Sequence, residues 1–129
     1  MTTKVLFMCP HAAGKSVIAA TYFRAAALRL GLDATARVAG TDPDDAVMAT
    51  VRAALESEGY VIEFRPRLVT SADTSAADLI VSIGCDPAEI PTDKSIIEWD
   101  VPMLSDDLPG SMSAIHDRVE ALAAELATR

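Results

Sequence analysis

The segment Val5–Ala20, VLFMCPHAAGKSVIAA, constrains the fold more than any other part of the chain. Lys4–Met8 is a short apolar run bounded by Pro10, the pattern of a strand buried on both faces. From Lys15 to Leu30 alanine dominates and neither Gly nor Pro occurs, until Gly31 supplies a stop. Beyond the first turn the polar side chains are sparse (Thr21, Arg24 and Arg29), so the spacing predicts a mostly buried helix. A buried strand that passes through a tight loop into a buried helix is the opening of a parallel α/β fold.

The remaining segments extend the same pattern. Thr35–Ala39 reads as a second strand ended by Gly40. TDPDDAVMATVRAALESEG predicts a helix capped by Asp42, with Pro43 in its first turn, Asp44 and Asp45 at its positive end and Gly59 closing it. Val47, Val51, Ala54 and Leu55 form its inner face. FRPRLVTSADTSAAD reads as loop and short helix. Leu79–Ile83 is a third, fully buried strand, and Ser95–Glu98 a weaker fourth. Met112, Ile115, Val119, Leu122 and Leu126 recur at spacings of 3, 4, 3 and 4, one apolar stripe of a final helix. The expected architecture is therefore a three-layer α/β domain over residues 1–129. It has a central four-stranded parallel sheet with helices on both faces. Ligands of such sheets bind beyond the carboxyl ends of the strands. Cys9 and Cys85 both lie just past such ends, which brings both towards one crevice.

Composition narrows the function classes. A chain of 129 residues that is 50% apolar is long enough for one core. The net charge of −8 argues against non-specific nucleic-acid binding. No apolar run is long enough to span a bilayer and no charged-then-apolar leader opens the chain, so a cytoplasmic protein without a membrane partner is expected. Two cysteines are too few for a disulfide framework, and they and the two histidines, His11 and His116, make no metal-ligand pattern. No metal and no cofactor are expected.

CPHAAGKS, Cys9–Ser16, fits two phosphate-binding patterns with one departure from each. The nucleotide loop Gly-x4-Gly-Lys-[Ser/Thr] finds Gly14, Lys15 and Ser16, but Cys9 where its first glycine belongs. That loop also needs an acidic residue after another strand to hold magnesium, and Asp86 is poorly placed for it. The cysteine loop Cys-x5-Arg-[Ser/Thr] finds Cys9 and Ser16, but Lys15 in place of arginine. Either way, backbone N–H groups and the positive end of a helix dipole converge on one point, and Lys15 adds a full charge. His11, Ala12, Ala13, Gly14, Lys15 and Ser16 are the candidate anion-binding residues. The cysteine pattern explains more, because a thiol at a helix N-terminus beside a lysine is a thiolate-favouring arrangement.

VLFMCPHAAGKSVIAATYF resembles the start of the low-molecular-weight protein tyrosine phosphatases and of the arsenate reductases that share their fold. AGTDPDDAVMATVRAALESEG, ADLIVSIGCD and EWDVP continue the likeness in family order, over nearly the whole chain. The resemblance implies that Cys9 is a nucleophile toward phosphate or arsenate. It also implies that Lys15, Ser16 and the loop N–H groups hold the oxyanion.

Departures fall in the active-site motifs. Lysine offers one compact charge where arginine offers two parallel hydrogen bonds. His11 stands where the family has a small residue or glycine, and Ala12 where it has a bracing asparagine. The family's general acid is an aspartate followed by proline. Counted from Trp99, its place holds Met103 and Leu104, which leaves Asp106, Asp107 or water as candidate acids. Tyr60, Phe64 and Trp99 are the sparse candidates for a phosphotyrosine wall. Arg65 and Arg67 either enrich the crevice rim in positive charge or solubilise the surface. His11 is either a proton carrier or an exposed loop residue. Cys85 is either a resolving thiol or a small residue at a strand end. With a single downstream cysteine, a relay of three cysteines is excluded. The expected protein is thus phosphatase-like, with a degenerate Cys-x5-Lys loop and weak or absent phosphatase activity. A thiol-dependent arsenate reductase and a non-catalytic binding module are the alternatives. Its partners would be a phosphate-like oxyanion and, beyond that, a phosphoprotein or a small thiol.

Overall fold

A computed structural model describes residues 1–129. β1 (Thr3–Met8) lies at the centre of the sheet, between β2 (Ala34–Ala39) and β3 (Leu79–Ser82). β4 (Ile97–Glu98) adds two residues beyond β3, so the order is β2-β1-β3-β4 and every pair is parallel. Four helices accompany it: α1 (Lys15–Leu30), α2 (Ala49–Ser57), α3 (Ser71–Ala76) and α4 (Leu108–Ala127). No helix is long and apolar enough to cross a membrane.

The period of two along β1 divides the core. Val5, Phe7 and Cys9 join the larger cluster, with α1, α2 and the stripe Met112, Ile115, Val119, Leu122 and Leu126 of α4. Leu6 and Met8 join the smaller one, with Ala39, Val69, Ile80 and Cys85. α1 is buried along most of its length, and Gly31 ends it at φ 64°, where its N–H reaches the last helical carbonyls. Trp99 is buried against Phe7, with ring centroids 5.9 Å apart.

The predicted start of the second helix needs correcting. Asp42 does not cap it: α2 begins at Ala49, and residues 41–48 are loop. The N–H groups of Asp42, Asp44 and Met48 donate instead to the carbonyls of Pro10, His11 and Ala13, at 2.8, 3.0 and 2.9 Å. A segment that hydrogen-bonds the loop after β1 cannot also close its own helical turns.

α3 is fixed by a reciprocal cap. The Thr70 hydroxyl accepts from the Asp73 N–H, and the Asp73 carboxylate accepts from the Thr70 N–H. Arg67 donates to both carboxylate oxygens of Asp73, at 2.9 and 2.5 Å, so it is not a free charge on the crevice rim. The Arg67 guanidinium, helped by the bonds from Thr70, holds the Asp73 carboxyl at about 2. A carboxyl lowered on folding stabilises the fold above its unfolded value and loses that contribution as pH falls through the folded one. Asp73→Asn should therefore cost about 1–2 kcal/mol at neutral pH, the half-exposed arginine discounting the full effect. The gap between the two proteins in urea unfolding should close as pH falls from about 4 towards 2.

Candidate functional site

The loop Cys9–Gly14 carries the chain from β1 into α1. Its carbonyls are turned outward: those of Pro10, His11 and Ala13 accept from residues 42–48, and that of Cys9 accepts from Ala12 N–H at 3.3 Å. The N–H groups of His11, Ala13, Gly14 and Lys15 have no protein acceptor. This division leaves successive loop N–H groups free, as an anion-binding loop requires. Ala12 makes the turn at φ 52°, a left-handed conformation that costs a non-glycine residue about 1–2 kcal/mol. Asparagine tolerates that conformation better than alanine does.

Gly40, just after β2, makes the outward turn possible. A Cβ there would lie 2.5 Å from the Pro10 carbonyl oxygen and 2.9 Å from that of Cys9. Nothing in the sequence singled this glycine out beyond its place at the end of a strand.

Cys9 is buried, with Sγ 3.0 Å from the Ser16 hydroxyl and accepting from the Ser16 N–H at 3.4 Å. Ser16, itself fully buried in the first turn of α1, thus sets both its N–H and its hydroxyl against the sulfur. Lys15 begins that helix and its Nζ lies 4.0 Å from Met103 Sδ.

A cavity of about 360 Å³ opens over the loop. Cys9, Pro10, His11, Gly14 and Lys15 form its floor, Asp44 and Met48 one wall, Ile83 and Gly84 another, and Met103, Leu104 and Ser105 the third. Leu104 covers Gly14 so closely that a Cβ on the glycine would sit 2.5 Å from Leu104 Cδ1. Met103, where a family aspartate was expected by count, presents a thioether.

Of the predicted residues, the structure brings Cys9, His11, Gly14 and Lys15 together around this cavity, with Ser16 behind the sulfur. Asp106 and Asp107 are exposed and do not line it; the Asp107 carboxylate caps α4 by accepting from Gly110 N–H at 3.0 Å. Tyr60, Phe64 and Trp99 are likewise absent from its walls. Tyr60 packs on Tyr22, and Phe64 lies under Arg24. Cys85 sits close to the loop but in the opposite core cluster, and Ile83 and Gly84 face the cavity in its stead. Burial, chiefly, pushes the Cys85 thiol up; the charge of Cys9 adds to this, and bonds from Ser82 and Thr41 oppose it. Both cysteines are free thiols. No group of three His, Cys, Asp or Glu side chains is placed to hold a metal.

Asp44, Met48 and Leu104 are cavity residues that sequence reasoning missed. The local sequence places Asp44 at a helix terminus, and no periodic signal marks any of the three.

Comparison with known proteins gives this site a context. The family described as low molecular weight phosphotyrosine protein phosphatase matches residues 4–106. No curated protein sequence matches the chain. Among solved structures, an arsenate reductase from Archaeoglobus fulgidus is 29% identical with a TM-score of 0.77, over 93% of this chain and 98% of that one. A thioredoxin-dependent arsenate reductase from Corynebacterium glutamicum is 25% identical with a TM-score of 0.83. That match covers 97% of this chain but only 62% of the other. A protein tyrosine phosphatase from Entamoeba histolytica, at 20% identity and a TM-score of 0.80 over 98% of this chain and 97% of that one, shares the fold.

Proposed function

The chain belongs to the low molecular weight phosphotyrosine protein phosphatase family, and we propose that within it this protein is a cysteine-dependent, phosphatase-like oxyanion binder of low turnover. Cys9 would attack a bound phosphoryl group as a thiolate, while Lys15 and the free N–H groups of residues 11–15 hold the equatorial oxygens. One observation carries this reading. The Ser16 N–H and hydroxyl both address Cys9 Sγ, at 3.4 and 3.0 Å, at the amino end of a long helix. Such donors favour the charged sulfur. Low turnover follows from the single compact charge of Lys15 and from a thioether, not a carboxyl, at Met103.

The test is alkylation of Cys9 in a Cys85→Ser background, followed by intact mass. Phosphate, vanadate and arsenate should each slow alkylation of Cys9. Alkylation indifferent to all three anions would sink the reading.

Arsenate reduction is a second reading, favoured by the likeness to the Archaeoglobus fulgidus reductase and by the nearness of Cys85 to Cys9. The Cys9 thiolate would displace hydroxide from arsenate and form an S–As(V) bond. A second thiol would then attack Cys9 Sγ, forming a disulfide as the S–As bond breaks and its electron pair reduces arsenic(V) to arsenite. Burial, which pushes the Cys85 thiol up, slows its attack, and an external small thiol is the other candidate.

A further inference from the structure

We propose that His11, held by the Asp42 carbonyl beside the Asp44 carboxylate, is the proton carrier of this site, replacing an acid on the loop that follows β4. The proposal rests on the reading that Cys9 attacks a phosphoryl group. Cys9, His11, Lys15 and Asp44 are the titratable side chains around the cavity. From the loop after β4 come only Met103, Leu104 and Ser105, none of which can supply a proton near neutrality.

The ring is held from two segments. The Asp44 N–H donates to the His11 carbonyl at 3.0 Å, which ties the β2–α2 loop to the anion loop. His11 Nδ1 lies 2.9 Å from the Asp42 carbonyl oxygen. A carbonyl only accepts, so Nδ1 carries the hydrogen, and in the neutral ring the lone pair is left on Nε2. The Asp44 carboxylate lies 3.5 Å and that of Asp42 3.9 Å from the same Nδ1. Both put negative charge beside the ring when it carries its second proton. Nε2 has no partner in the protein, and His11 lines the cavity with Cys9 and Lys15.

The chemistry then closes on itself. The Cys9 thiolate attacks phosphorus and a P–S bond forms. The bond from phosphorus to the leaving oxygen breaks, and that oxygen takes the proton of Nε2–H. In the second half Nε2 removes a proton from water as the water oxygen bonds phosphorus. The P–S bond breaks, its electron pair returns to Cys9 as thiolate, and phosphate departs from a ring that again holds both protons. His11 is the catalytic residue in this scheme and Asp44 a positioning residue.

An exposed histidine paired with surface carboxylates merely for stability would be blind to the leaving group. The experiment exploits that difference. The full chain, His11→Gln and Asp44→Asn are compared on phenyl phosphate and on 4-nitrophenyl phosphate, whose leaving group needs far less help from a proton. His11→Gln should lower kcat/KM by about 10²-fold on the phenyl ester and by about tenfold or less on the nitrophenyl ester. Asp44→Asn should follow with a smaller split. Equal losses on both esters, or none, overturn the proposal.

A wild-type protein that protects Cys9 with phosphate yet hydrolyses neither ester would remove the phosphatase reading, and binding then decides the role of His11. Five-coordinate vanadate presents an apical oxygen where the leaving group would stand; tetrahedral phosphate does not. His11→Gln should then weaken protection of Cys9 by vanadate about tenfold more than it weakens protection by phosphate. Equal weakening, or none, overturns the proposal. Protection by phosphate that persists in the variant also shows that it retains its loop.

Discussion

Gly40→Ala should cost about 3 kcal/mol of stability and abolish protection of Cys9 by phosphate. The three atoms nearest the added methyl are all backbone: the Pro10 oxygen at 2.5 Å, the Cys9 oxygen at 2.9 Å and the Ala12 nitrogen at 3.0 Å. None can swing aside as a side-chain tip would. Gly40 cannot retreat either. Its N–H donates to the Arg67 carbonyl, and its carbonyl accepts from Val69 N–H, each at 2.9 Å. The clash must therefore be relieved by the loop, whose outward-turned carbonyls are what leave its N–H groups free. Gly31→Ala is the control. That glycine has φ 64° with open space around it, so alanine should cost only about 1 kcal/mol in left-handed strain and leave the anion loop untouched. Urea unfolding and alkylation protection read both variants. A Gly40→Ala protein with wild-type stability would mean that the loop does not pack against β2 as described.

That close approach also marks the limit of what the chain discloses before folding. β1, the loop and α1 were legible because one apolar run, one Gly-Lys-Ser turn and one unbroken alanine-rich stretch follow each other without ambiguity. The stripe of α4 was legible because a period of 3–4 residues persists over the element. Asp42 and Pro43 misled because their local preference for a helix start is genuine. Tertiary contact overrides it, and the carbonyls of Pro10, His11 and Ala13 take the N–H groups that a helix would have used otherwise. The same override hid Asp44 and Met48, which become cavity wall only because residues 41–48 lie against the anion loop. Cys85 followed the strand-end rule and does end near the site. The side to which its thiol turns depends on the chain path after Ser82, which no residue pattern encodes, and it enters the opposite cluster.

Lys15→Met should lower kcat/KM on any phosphate ester by about 10²–10³-fold, and lower phosphate affinity less, on the order of 10- to 100-fold. Lys15 is the one lysine or arginine around the cavity, and it opens the first turn of α1 beside Cys9. Phosphate already carries negative charge in the ground state, so the lysine aids binding. Charge on the equatorial oxygens is redistributed as the P–S bond forms, and a preorganised donor gains further there. The two losses must therefore differ, and their ratio measures how much of the lysine acts only in the transition state. Equal losses in affinity and in kcat/KM would reduce Lys15 to a binding group. Lys15→Arg completes the series. It keeps the charge, so protection of Cys9 by phosphate should survive, and it adds the second parallel hydrogen bond that lysine lacks. A rise in turnover would show that the clamp limits the rate. An unchanged rate would locate the limit in proton delivery, where His11→Gln has its largest effect.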